Sequence, residues 1–132
     1  MSLYIADTNS PEAAERMKEM PLPVLITSLG ELEFTNAVEL RLFRGEIKAS
    51  QARATRAAFR ADMHGGIFCV QVLSEAIFRE AIRLALGWTA RLGARSLDVI
   101  HVASAIALQA DAFHTFDYRQ RHLAIAAGLA VA

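Results

Sequence analysis

Short apolar runs that alternate with helix-patterned segments predict an α/β fold, a central and mainly parallel sheet covered by helices on both faces. Two further observations support this. The runs are rich in Val, Ile and Leu, as strands buried on both faces require, and capping or turn residues punctuate nearly every junction. The 132 residues suit a single domain over 1–132 with enough chain to bury a core.

The elements follow in order. Residues 3–6 read as a buried strand ended by Asp7-Thr8-Asn9. Ser10 then caps a helix with Pro11 at its first position and Glu12 facing the positive end of the dipole, and the helix stops near Met20, before Pro21 and Pro23. Residues 24–27 form the second strand. Ser28 and Glu31 have capping-box spacing, which opens a helix to about Arg44 with Gly45 as its stop. Leu32, Phe34, Val38, Leu42 and Phe43 are expected to dock it.

An Ala/Arg-rich helix over 50–63 is closed by His64-Gly65-Gly66, and residues 67–72 make the third strand. Ser74 caps a helix that carries Ala76, Ile77, Ala81, Leu84 and Ala85 at helical spacing, and Gly87 and Gly93 bracket a break. Ser96 is expected to cap a helix over 97–109, with Asp98 in its first turn. Residues 112–116 read as a fourth strand followed by Asp117, residues 118–127 as the last helix stopped by Gly128, and residues 129–131 as a short strand.

Composition narrows the class. No stretch of about 18 uncharged apolar residues is present, and the N-terminus lacks a basic region followed by an apolar signal core, so a cytoplasmic globular protein without membrane contact is expected. Cys69 is the only cysteine, which excludes an internal disulfide or a multi-cysteine zinc site, and its neighbours Ile67, Phe68 and Val70 make it a core residue. Acidic and basic side chains balance at 14 each, so no global basic field exists. Local phosphate contacts remain open to Arg41, Arg44, Arg91, Arg95, Arg119 and Arg121.

Four acids stand where an open parallel sheet brings side chains to its ligand-binding edge, beyond the carboxyl ends of the strands. Asp7 and Asp117 each follow a strand, Glu33 lies one turn into a helix, and Asp98 opens another. Asp7 abuts a strand expected to be central, where an unpaired carboxylate costs several kcal/mol. A cation is one partner that removes this cost. Glu33 is preferred to Glu31, because the capping box already uses Glu31. Clustered carboxylates without Cys or His favour Mg²⁺ or Mn²⁺, which take oxygen ligands and assist phosphoryl chemistry. His101 is a minor ligand candidate, and Thr8, Asn9, Asn36 and Thr115 are candidates to orient a carboxylate or a water.

Tyr4-Ile5-Ala6-Asp7-Thr8-Asn9, Glu33-Phe34-Thr35-Asn36-Ala37, Ser96-Leu97-Asp98-Val99-Ile100-His101-Val102-Ala103 and Thr115-Phe116-Asp117 together resemble the PIN-domain ribonucleases, and among them the VapC-type toxins. The likeness runs in order through nearly the whole chain. It implies a PIN-like three-layer sandwich and an endoribonuclease dependent on Mg²⁺ or Mn²⁺, which cuts RNA with a metal-activated water. It also implies a homodimer and a VapB-like antitoxin. By this likeness Asp7, Glu33, Asp98 and Asp117 are the catalytic, metal-binding acids, with Asp7 and Asp98 the most direct ligands. The rival from another class is a catalytically silent PIN-like module that binds protein or RNA. An aspartyl-phosphate enzyme is disfavoured, because Asn9 stands where such enzymes place a second acid.

The chain departs from the family between Asn9 and Ser10, where members carry a further apolar stretch and a first helix. We expect that segment to be unrepresented in the sequence rather than deleted, since losing a helix beside the first acid would expose core. Intact-protein mass spectrometry tests this; a mass equal to that of the 132-residue chain refutes it.

Overall fold

A computed structural model describes residues 10–132, so the expected strand over 3–6 and the residues Asp7, Thr8 and Asn9 lie outside the described residues. The protein is α/β, and the chain divides into two compact units at Val72 and Leu73.

The first unit contains α1 (Ser10–Glu19), β1 (Val24–Thr27), α2 (Ser28–Phe43), α3 (Ala49–His64) and β2 (Phe68–Gln71). β1 and β2 pair in parallel, with Val24 opposite Phe68 and Thr27 opposite Gln71. A parallel pair needs a long crossover, and α2 and α3 supply it. Phe34, Val38, Ala52, Phe59 and Phe68 form the core between helices and strands. Phe59 sits between the other two rings, its centroid 4.1 Å from that of Phe34 and 5.6 Å from that of Phe68. Such tilted pairs add to the energy of burial alone.

Three expectations for this unit need correction. α2 is capped by Thr27, not Ser28: the last strand residue stays extended and its hydroxyl accepts the Gly30 N–H at 3.1 Å, so the helix opens one residue early. Glu31 thereby falls one position beyond the capping-box site. Leu32 and Phe43 do not dock α2, being 63% and 86% exposed; a helix buries one stripe, and Phe34 and Val38 already occupy it. Cys69 is half-buried rather than core, and its Sγ accepts a hydrogen bond from Gln71 Nε2 at 3.1 Å on the same strand face.

The second unit is helical, with α4 (Glu75–Leu84), a π-helical turn (Ala85–Thr89), α5 (Ala90–Leu92), α6 (Ser96–Ala107) and α7 (Tyr118–Ala126). Ser74 caps α4 through its hydroxyl, as expected. Arg83 forks onto Glu80, with Nε 3.0 Å from Oε2, and this hydrogen bonding holds the Glu80 carboxyl below its ordinary range. α6 is the spine of the unit, packing against α4 and α7. Ile77, Ala81 and Leu84 of α4, Val99, Val102 and Ala103 of α6, and Leu123 and Ala124 of α7 make one apolar cluster. The break expected between Gly87 and Gly93 is only partial. Trp88, four residues after Leu84, packs on the same cluster, and tertiary packing carries the helix across Gly87. The chain leaves the helix at Gly93, where φ is +66°.

Among the described residues, the strands expected over 112–116 and 129–131 meet in one parallel bridge between Phe113 and Val131. The Thr115 hydroxyl accepts the Asp117 N–H and donates to Gln120 Oε1, a local turn that leads the chain into α7. Among the described residues, no helix is long and apolar enough to cross a membrane.

α6 ends two residues sooner than the apolar pattern predicts, in a left-handed cap at Gln109. The Ala110 N–H reaches Ala105 O at 2.9 Å and the Gln109 N–H reaches Ile106 O at 3.0 Å, a Schellman arrangement. α2 ends in the same way around Gly45, which adopts φ of +72° without a Cβ penalty. Gln109 holds φ of +53° with a Cβ, at a cost of roughly 1 kcal/mol. Gln109→Gly should therefore raise the free energy of unfolding in urea by up to about 1 kcal/mol. Unchanged or lower stability would contradict this account of the helix end.

Candidate functional site

A helix start leaves backbone N–H groups without intrahelical partners, and a side-chain oxygen nearby satisfies them. Two of the four expected acids perform this task in the second unit. At the start of α6, Arg95 is the extended N-cap residue and Asp98 Oδ2 accepts its N–H at 3.0 Å. Ser96, expected as the cap, is exposed and takes no part in it. At the start of α7, Asp117 is itself the N-cap, with Oδ1 accepting the Arg119 N–H at 2.8 Å and the Gln120 N–H at 3.3 Å.

Asp98 is only 2% exposed. Its Oδ2 also lies 3.6 Å from Arg95 Nε, a guanidinium that is itself largely in solvent. A buried carboxylate is costly without hydrogen-bonding or charged partners, and these are the partners Asp98 has. Asp117 is half-buried. Each acid uses one oxygen for its cap, and the other oxygen takes no hydrogen bond from a described residue. The caps thus fix the orientation of both carboxylates on the packed helices α6 and α7. The Thr115 hydroxyl holds the backbone of Asp117 and the side chain of Gln120.

Glu33 belongs to α2 in the first unit and is half-buried. Asn36, one turn along, is exposed. Because Thr27 caps α2, Glu31 has no capping-box duty, and capping does not distinguish Glu31 from Glu33. Glu31 is half-buried as well, with its carbonyl accepting the Thr35 hydroxyl at 2.9 Å. His101 is half-buried one turn beyond Asp98. Arg95 and Gln120 are partners that sequence reasoning did not single out for these roles. Their signal is positional: Arg95 precedes the helix whose third residue is Asp98, and Gln120 lies three residues after a capping Asp.

The chemistry of the donors suits a hard divalent cation, because Asp98 and Asp117 offer carboxylate oxygens and the one thiol, Cys69, is in the other unit. Among the described residues, no group of three or more His, Cys, Asp or Glu side chains is gathered to hold an ion. Comparison with known protein families, with curated proteins and with solved structures finds no match.

The cap and the charge of Asp117 can be separated. Asp117→Ala should destabilise the protein by about 1 kcal/mol, whereas Asp117→Asn, an equally good N-cap, should leave stability within a few tenths. Urea unfolding checks both, and equal losses in the two variants would refute the capping role.

Proposed function

We propose that this chain is an endoribonuclease dependent on Mg²⁺ or Mn²⁺, built on a PIN-like three-layer sandwich and acting as the toxin of a toxin–antitoxin pair. The observation that carries the proposal is the pair of acids on α6 and α7, each with one oxygen held by a helix start and the other oxygen unused by described residues. The ordered likeness to PIN-domain ribonucleases supports it, and that likeness adds Asp7 and Glu33 to the set of acids.

By that likeness Asp7 and Asp98 would be the most direct ligands, and Glu33 and Asp117 would act directly or through water. When bound, a divalent cation supplies positive charge that acidifies water and offsets negative charge on the phosphodiester. The protein's own part is positioning. The backbone caps hold the carboxylates without rotamer freedom, so little ordering is left for the moment of reaction. A homodimer and a VapB-like antitoxin that blocks the acidic groove belong to the same proposal.

Purified protein, free of antitoxin, should cleave RNA in Mg²⁺ or Mn²⁺ and lose that activity in EDTA. Asp98→Asn should lower the cleavage rate by about a hundredfold or more, while the Asn side-chain oxygen still accepts the Arg95 N–H. Full activity in this variant rejects the site, and undiminished cleavage in EDTA rejects metal dependence. Binding of RNA without any cleavage would favour a catalytically silent PIN-like module.

A further inference from the structure

Helix α3 carries Arg53, Arg56 and Arg60 at spacings of three and four residues, which set them in a row along one side of the helix. Arg56 pairs with Glu39 of α2, whereas Arg53 and Arg60 are exposed and form no ion pair among the described residues. Helix α1 carries Glu12, Glu15 and Glu19 at the same spacings, all three exposed, while Ala13 is buried. Glu12 pairs with Arg16 at 2.5 Å and Glu15 with Lys18 at 2.8 Å inside that helix. Glu19 forms no ion pair among the described residues.

The two rows match in length. Glu12 to Glu19 and Arg53 to Arg60 each span two helical turns, about 10.5 Å at 1.5 Å per residue. Within one copy they do not neutralise each other: the ion pairs of α1 stay inside α1, and that of α3 reaches α2. Ion pairs as exposed as those of Glu12 and Glu15 are worth about 0–1 kcal/mol, so both glutamates can exchange partners at little cost. Beside the arginines, Ala54, Ala57 and Ala61 are exposed, and side chains this small let a second helix approach closely.

We infer that α1 of one copy docks its glutamate row on the arginine row of α3 in a second copy of this chain. Equal length, opposite sign and the lack of pairing between the rows within one copy select this occupant. A nucleic acid would meet the arginines but leave the glutamate row unused. Arginine suits the contact, because its planar fork of donors can hold a carboxylate by two hydrogen bonds. Each copy carries both rows, so a two-fold pair would form the contact twice. The contact lies wholly in the first unit and is independent of the ribonuclease reading and of a homodimer formed through any other face.

Sedimentation velocity of the full chain at fixed concentration tests the contact. The weight-average sedimentation coefficient should be higher in about 50 mM NaCl than in about 0.5 M, where screening covers the charges. In low salt, the double variant Arg53→Glu, Arg60→Glu and the double variant Glu15→Lys, Glu19→Lys should each raise the dissociation constant on the order of tenfold, since like charges then face one another. An equal mixture of the two should associate again, because the unaltered glutamates of the first meet the unaltered arginines of the second. Circular dichroism should show both variants folded. A sedimentation coefficient that ignores salt overturns the proposal, as does unchanged association in either variant or a mixture that fails to recover. Loss of binding to a fluorescein-labelled RNA in Arg53→Glu, Arg60→Glu, with association unchanged, would give the arginines to a nucleic acid and likewise sink the contact. No RNA cleavage is read, so failure here and failure of the ribonuclease reading are separate results.

Discussion

The hydrogen bond from the Arg95 N–H to the buried carboxylate of Asp98 is the constraint on which the second unit depends. It closes the start of α6, and α6 is the helix against which α4 and α7 pack. A carboxylate 2% exposed without partners would unsettle the helix start. With the backbone N–H and the Arg95 guanidinium in place, it becomes a fixed anion at the end of a rigid element. The apolar contacts of Val99, Val102 and Ala103 follow from the helix being anchored there.

The same device recurs around the protein. Thr27, Ser74 and Asp117 each place a side-chain oxygen against N–H groups that a helix start leaves unpaired. Thr27 and Asp117 do this directly after extended segments, so the chain turns from extended to helical within one residue. Such junctions hold polar groups at defined angles on stable elements. Where the capping group is a carboxylate, a structural requirement and a chemical opportunity coincide. Asp98 and Asp117 each commit one oxygen to a cap and leave the other unused by described residues, so a neutral amide at either position separates cap from charge.

Charge is organised with similar economy. Along α4 and α3, arginines are neutralised by nearby carboxylates: Arg83 with Glu80, and Arg56 with Glu39 across from α2. Exposed pairs of this kind add little stability. Among the described residues, the arginines of the second unit without an acidic partner stand on α5 and α7, where Trp88 and Tyr118 lie against Arg91 and Arg119. A chain with balanced totals can therefore still present a local cationic surface.

Local patterns in the sequence determined much of this. Pro and Gly punctuation, the apolar runs and helical spacing placed β1, β2 and the main helices within a few residues, because these signals act through backbone geometry and one-sided burial. The Ile77, Ala81 and Leu84 stripe was legible for the same reason. Tertiary structure decided what depends on competition between neighbours. Thr27 outcompeted Ser28 as a cap because strand pairing already held it extended, and Glu31 lost its assigned role as a consequence. Thr115 joined the start of α7, since its hydroxyl found hydrogen-bond partners within its own turn. Helix α6 stopped at a left-handed Gln109 although its apolar pattern continued. The acids were visible as residues, but which oxygen of Asp98 and Asp117 is committed to the backbone is set only by the helix starts they close.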